Sequence, residues 1–147
     1  MKFKNMFDKI LNEETGRFLT NFFGFNFSIF SNEGNTPHFH FFNGDKPNSS
    51  DVSGCYHILE NDYFDHGKYK GRLPYKTRKN MIEVLSNDIN YKYIVSEWNR
   101  SGNSYVIDGN ILNPFSGRCI KISKDEFISP PKGFIWFNKW QENEIIF

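Results

Sequence analysis

Two histidines stand two residues apart in the stretch 36–42, which reads Thr-Pro-His-Phe-His-Phe-Phe. Side chains alternate between the two faces of a strand, so His38 and His40 are predicted to share one face while Phe39 and Phe41 take the other. Two imidazoles that point the same way can hold a metal or act as an acid–base pair. They can also pack among aromatic side chains, and the pattern leaves both interpretations open.

A third histidine belongs to the next predicted strand, 54–59, which is expected to pair with the strand 37–42. In a suitable register His57 lies beside His38 and His40. A shift of one residue sends His57 to the opposite face, because side chains repeat every second residue.

The fourth histidine, His66, follows that strand and stands next to Asp65. One interpretation is therefore a metal site formed by His38, His40 and one of His57 or His66, with Asp65 as a further ligand. Imidazole and carboxylate ligands suit zinc or manganese. Because a bound metal acidifies water, such a site can support attack on a phosphoester. A P-loop, a dinucleotide fingerprint and a nucleophilic triad are absent from the sequence.

The most marked charge feature is a basic segment over 68–79 with two interleaved tyrosines. Such a segment can follow a phosphate backbone while a ring stacks on a base. It can equally be a solvated helix start with its tyrosines packed inward. The candidate residues for binding nucleic acid or phosphate are Lys68, Lys70, Arg72, Lys76, Arg78 and Lys79.

The composition describes a chain that can fold around aromatic side chains. The 147 residues include 17 phenylalanines, and aromatic residues make up 18% of the chain. A net charge of +1 gives no overall attraction to nucleic acid or to a membrane surface. Two distant cysteines favour free thiols and a reducing compartment. No signal peptide or membrane span is predicted, so we expect the cytoplasm, or the host cytoplasm or virion if the protein is phage-encoded.

Hydrophobic periodicity predicts an α+β fold in one domain, 1–147. A helix is predicted over 2–13 and a half-buried strand over 22–31. A small antiparallel sheet spans about 22–60, with helices on one side over 75–86 and 88–100, the second with Asp88 as a possible N-cap. The sheet and the two helices form a core over about 22–100.

The remainder, 101–147, is predicted to be a β-rich extension packed on that core. Strand-like residues occupy 105–107, and Asp108-Gly109 is a hairpin signal. A strongly apolar segment stands at 134–137, and 142–147 is predicted to be a tail or an edge strand.

From the hairpin to Trp98 the chain resembles a family of small, uncharacterised bacterial and phage proteins marked by a Pro-His-Phe-His-Val strand. The motif stands here as Pro37 to His40, with Phe41 in the valine position. Other matching pieces, in chain order, are Cys55, Tyr63-Phe64-Asp65-His66, Gly71-Arg72-Leu73-Pro74 and Trp98. The resemblance covers about half of the chain and brings no activity with it, and members often stand near toxin–antitoxin genes.

Two classes of function are consistent with these observations. The first is a non-enzymatic interaction protein, a phage or bacterial accessory, defence-related or virion-associated module that binds another protein. The second is a small metal-dependent phosphohydrolase or nuclease with a His cluster on the sheet. We favour the first, because each step of the second depends on a side-chain geometry that the sequence does not give.

Overall fold

The computed structural model describes residues 17–31 and 33–128. It contains seven strands and two α-helices. The strands are β1 (Arg17–Phe22), β2 (Phe25–Ile29), β3 (His38–Phe42), β4 (Ser53–His57), β5 (Asp62–Tyr63), β6 (Gly109–Asn113) and β7 (Arg118–Ile122). The helices are α1 (Tyr75–Leu85) and α2 (Asp88–Arg100), and a short 3-10 helix covers Pro47–Ser49. The predicted helix over 2–13 and the segments 134–137 and 142–147 lie outside the described residues.

The first five strands form one antiparallel sheet in the order of the sequence, β1-β2-β3-β4-β5. The last two strands form a separate antiparallel hairpin. Together with the two helices, this arrangement confirms the predicted α+β class. Within the described part of the chain, no helix is both long and apolar enough to cross a membrane.

The prediction of one strand over 22–31 is wrong in detail, because the chain reverses at Phe23 and Gly24. Both residues have positive φ angles, 54° and 79°, as a two-residue hairpin turn of type I′ requires. Phe22 then pairs with Phe25, and residues 17–22 become an additional edge strand. The turn is hidden in the sequence because a bulky residue rarely takes a positive φ.

The register between β3 and β4 places His38 opposite His57 and His40 opposite Cys55. Residues directly opposite each other in an antiparallel pair point to the same face. The other face carries Phe39 and Phe41.

That other face meets the helices across the hydrophobic core. Phe39, Phe41 and Tyr56 are fully buried and belong to one cluster with residues of both helices. The helical members are Met81, Val84, Leu85, Tyr91, Tyr93, Ile94, Val95 and Trp98. Because these residues fall at helical spacing, each helix presents one apolar stripe to the sheet.

Polar contacts fix the position of the helices on the sheet. Arg78 Nε donates a hydrogen bond to Tyr56 Oη (3.2 Å), and Tyr91 Oη donates one to the Ile58 carbonyl (2.9 Å). The N-cap of α2 is Asn87, whose side-chain oxygen accepts from two backbone N–H groups. The prediction of Asp88 as the cap is therefore wrong by one residue.

The described part of the extension packs on the same core. Ile107, Phe115 and Ile122 belong to the main cluster. Residues 105–107 form no strand, because their backbone bonds instead to α2: Trp98 Nε1 donates to the Tyr105 carbonyl at 2.7 Å. The hairpin turn follows Asn113 rather than Asp108-Gly109, so that hairpin prediction is misplaced.

The close approach of β4 to the segment after it requires glycine at position 54. A Cβ there would lie 2.5 Å from the Gly71 carbonyl oxygen and 2.5 Å from the Phe41 ring. We expect Gly54→Ala to lower the free energy of unfolding by about 1–3 kcal/mol, as overpacking does. Urea denaturation measures this change. Asn110→Ala, on an exposed position of β6, is the control and should change it by less than about 0.5 kcal/mol; an equally small change in Gly54→Ala would contradict the close approach.

Candidate metal centre

The face of β3 opposite Phe39 and Phe41 carries His38 and His40 in buried positions, with the Trp98 ring of α2 5.7 Å from the His38 ring. Their side chains are covered by aromatic rings, with Phe30 against His40 (ring centroids 4.9 Å apart) and Phe64 against His38 (4.9 Å). Neither histidine is open to bulk water, since His38 is 1% exposed and His40 3%. Two buried imidazoles need polar partners in this position.

The main partner is Glu33, which lies in the loop between β2 and β3. Asn103, from the loop after α2, holds this loop in place. Its side-chain oxygen accepts from the Glu33 backbone N–H (2.7 Å), and its side-chain nitrogen donates to the Phe30 carbonyl (3.2 Å). The carboxylate of Glu33 is thereby placed over the histidine face of the sheet.

Three imidazoles converge on this one carboxylate. His40 Nε2 forms a short hydrogen bond with Glu33 Oε1. His38 Nε2 lies 3.4 Å from the same oxygen, and His66 Nε2 lies 3.3 Å from Oε2. We call Glu33, His38, His40 and His66 the Glu33 cluster.

The proton on His38 is fixed by the backbone. His38 Nδ1 lies 2.6 Å from the Thr36 carbonyl oxygen, which can only accept, so Nδ1 carries the hydrogen. The other ring nitrogen, Nε2, is buried and has no hydrogen-bond partner among the described residues. Nε2 can donate to the Glu33 carboxylate, 3.4 Å away, when the ring is protonated, and it carries a free lone pair when the ring is neutral. That lone pair is free to bind a cation.

Electrostatics favour an anionic carboxylate and a neutral His40. Burial alone would raise the pKa of Glu33, but the neighbouring His38 and His40 outweigh it and hold that pKa well below its ordinary value. Burial lowers the pKa of His40, and the attraction of Glu33 opposes this only in part. An ionised carboxylate beside a neutral imidazole is the charge state in which such ligands bind metals.

Two sets of residues are close enough to hold a metal. The possible ligand atoms of Glu33, His38 and His66 all lie within 4.8 Å of one another, as do those of His38, His40 and Cys55. The cluster can therefore hold a metal ion. The first set reaches the surface, because the side chains of His66 and Glu33 are 33% and 16% exposed.

Cys55 forms the inner wall of the cluster. Its sulfur lies 3.5 Å from His40 Nδ1 and 3.7 Å from His40 Nε2. Burial is the main cause that raises the pKa of this thiol, and the Glu33 carboxylate adds to the effect. Cys55 is accordingly a protonated thiol at neutral pH, whereas a metal binds the thiolate.

The structure brings together three of the four predicted histidines, His38, His40 and His66. His57 lies opposite His38 in the register, but its Nε2 faces Glu60 (3.7 Å) and its Nδ1 accepts from the Leu59 N–H (3.2 Å). His57 belongs to neither ligand set. Asp65 also stands apart, in an ion pair with Arg72 (3.1 Å).

The basic segment does not form one uniform surface. The guanidinium groups of Arg72 and Arg78 both lie over the Tyr63 ring, 4.4 and 4.8 Å from its centroid. They also pair with Asp65 and Asp62 respectively. Lys76 and Lys79 are exposed on α1, while Lys68 and Lys70 flank Tyr69 next to the cluster.

Glu33 is the residue that sequence reasoning missed as a site residue. It lies in a segment predicted only as a turn, Ser31 to Asn35. The available signal was an acidic residue in a loop that leads directly into a strand with two same-face histidines. Its approach to His66 depends on long-range packing through Asn103, which no local pattern encodes.

We compared the chain with models of known protein families, with curated proteins and with solved structures, and none of the three comparisons gave a match. The resemblance to the Pro-His-Phe-His-Val family therefore stays a prediction. The geometry of the site carries the functional argument.

Replacing Asn103 should release the loop that holds Glu33. Asn103→Ala leaves the Glu33 N–H and the Phe30 carbonyl without their partner, so we expect a loss of about 1–3 kcal/mol in the free energy of unfolding. Ser104→Ala, which removes an exposed hydrogen bond to Asn35, is the control and should change it by less than about 0.5 kcal/mol. Chemical denaturation of both variants measures the difference, and equal values would contradict the anchoring role.

The two cysteines should differ sharply in reactivity. Cys119 is exposed and Cys55 is buried. We expect a thiol reagent such as dithionitrobenzoate to modify Cys119 quickly in the folded protein and Cys55 only on unfolding, because the protonated, covered thiol is a poor nucleophile. A Cys119→Ser variant should then show no fast phase. A fast phase in that variant would mean that the reagent reaches Cys55 in the folded protein.

Proposed function

We propose that this protein binds a divalent transition metal at the Glu33 cluster. The observation that carries the proposal is His38, with one ring nitrogen bonded to the Thr36 carbonyl and the other buried, 3.4 Å from Glu33 Oε1 and without a hydrogen-bond partner among the described residues. Metal-binding histidines usually donate their second nitrogen to a carbonyl or carboxylate in this way, which orients the ring and fixes the tautomer.

The chemistry of the ligand set favours zinc, with manganese as the alternative. Glu33, His38 and His66 offer one carboxylate and two imidazoles, and His40 is a further imidazole on the same carboxylate oxygen. Zinc sites with catalytic roles use three such protein ligands and leave one position for water. Manganese accepts the same nitrogen and oxygen donors but prefers more oxygen ligands.

The reaction class we propose is hydrolysis of a phosphoester. A metal in this position would lower the pKa of a bound water and polarise a phosphoryl oxygen. Glu33 and His66 are on the exposed side of the cluster, where a substrate can arrive. Phe30 and Phe64 pack against His40 and His38 and limit the access of water to these two rings.

A protein-binding module remains the second candidate. It is supported by exposed apolar side chains on the helices and on the β6–β7 hairpin, above all Tyr75 (81% exposed), Ile89 and Leu112. These residues come from the starts of α1 and α2 and from β6. Exposed apolar residues that occur singly are common on monomeric proteins, whereas a contiguous patch marks an interface. The metal site is therefore the better supported proposal.

Metal analysis of two histidine variants tests the proposal. Protein without an affinity tag is loaded with zinc, freed of excess metal and analysed by inductively coupled plasma mass spectrometry. We expect about one zinc per chain in the parent, and at least about 100-fold weaker binding in His38→Ala, since even loss of an outer partner of a metal ligand costs 10- to 100-fold.

His57→Ala is the matched control, because it removes a histidine from the same face that belongs to neither ligand set. It should keep the parent's zinc. Equal loss in both variants, with both folded by circular dichroism, would point to non-specific binding. Absence of zinc from the loaded parent would refute the metal proposal, and size-exclusion and pull-down experiments would then address the protein-binding candidate.

A further inference from the structure

A polar groove of about 230 Å³ runs next to the Glu33 cluster. We call it the Lys68–Lys70 groove. One wall is the loop that follows β3, and the other is the segment that leads from His66 toward α1. Its lining residues are Pro47, Asn48, Ser50, Asp51, Ser53, Lys68, Tyr69, Lys70 and Gly71.

Tyr69 belongs to both the groove and the metal centre. Its ring lies 5.2 Å from the His40 ring, centroid to centroid, and is stacked parallel to the His66 ring at 6.3 Å. The Tyr69 N–H also donates to the His66 carbonyl (3.0 Å). A molecule in the groove therefore contacts a residue that is itself in contact with two of the proposed metal ligands.

The groove carries an excess of positive charge. Lys68 and Lys70 line it together with a single acidic residue, Asp51. Within the described part of the chain neither lysine forms an ion pair, whereas Arg72 and Arg78 are each paired with an aspartate. Lys68 and Lys70 are thus the cations of the basic segment that lie nearest the cluster and form no ion pair among the described residues.

The walls of the groove are held by their own hydrogen bonds. Ser50 Oγ accepts from the Gly44 N–H (2.8 Å) and donates to the Lys46 carbonyl (2.7 Å), which ties the loop to itself. The Gly71 N–H donates to the Ser53 carbonyl (2.8 Å) and joins the two walls. The Ser53 hydroxyl is buried and has no hydrogen-bond partner among the described residues.

We propose that the Lys68–Lys70 groove binds the phosphate group of a small phosphate monoester. Lys68 and Lys70 supply the charge, and Tyr69 forms the wall shared with the metal centre. The small volume fits a compact phosphorylated molecule better than a polymer. This proposal rests on the proposed function, since it names the substrate class of the same centre.

Nuclear magnetic resonance titration with inorganic phosphate tests the groove directly. Metal-free protein is titrated at constant ionic strength, and amide shifts report where the anion binds. We expect saturable shifts at Ser50 to Ser53 and Lys68 to Gly71. The dissociation constant should rise about tenfold or more in the double variant Lys68→Ala/Lys70→Ala, because it loses two charge-assisted contacts.

The matched control is Lys121→Ala/Lys124→Ala, which removes the same charge from exposed positions on and just after β7. It should bind phosphate like the parent, and Lys68→Arg/Lys70→Arg should keep most of the binding. Equal weakening in the control, or no saturable shift in the parent, would overturn the groove assignment.

Zinc content separates this proposal from the previous one. The Lys68→Ala/Lys70→Ala variant should hold the parent's zinc, because neither lysine belongs to a ligand set. A parent that binds zinc but not phosphate overturns the groove alone. A parent that binds phosphate in the groove but no zinc supports the anion site and overturns the metal centre.

Discussion

The partly buried carboxylate of Glu33 is the constraint on which one face of this protein depends. A carboxylate removed from water is stable as an anion only when donors or cations surround it. Here the surrounding groups are imidazoles from β3 and from the segment after β5. Each ring is held by its own packing and hydrogen bonds. The contacts with Glu33 therefore form only when three elements are correctly placed relative to one another: the β2–β3 loop, the sheet and the segment that carries His66.

The opposite face of the same strands allows this arrangement. Phe39, Phe41 and Tyr56 bury large aromatic surfaces against α1 and α2, and these contacts make the sheet a rigid support. Because side chains alternate along β3, Phe39 and Phe41 face the core while the histidines of the strand point to the opposite face. One face holds the core, and the other can carry polar groups whose burial costs free energy.

Much of the fold was predictable where the periodicity was strong. The alternation around His38 and His40 gave β3 and its two faces, and the apolar stripes ending in Leu85 and Trp98 gave both helices. The predictions failed where backbone geometry overrides residue type. Phe23 adopts a positive φ that its side chain disfavours, and Asp108-Gly109 has turn chemistry but begins a strand.

The candidate site was predictable to a lesser degree. The sequence identifies His38, His40 and His66 as candidates, because histidine is rare in this chain and three of the four belong to motifs. It cannot give the position of Glu33, which depends on Asn103 about seventy residues away. It also cannot separate His57 from the others, since the direction of its ring follows from local bonds to Leu59 and Glu60.

Sulfur at position 55 has a consequence for the tautomers that His40 can adopt. A thiol can either donate a weak hydrogen bond or accept one. Cys55 can therefore face His40 Nδ1 whether that nitrogen is bare or protonated. When the ring's hydrogen moves from Nε2 to Nδ1, the Nε2 lone pair is freed and the Cys55 sulfur can accept from Nδ1 without movement of the backbone. An alanine or valine in the same place would leave His40 Nδ1 without this partner in both tautomers.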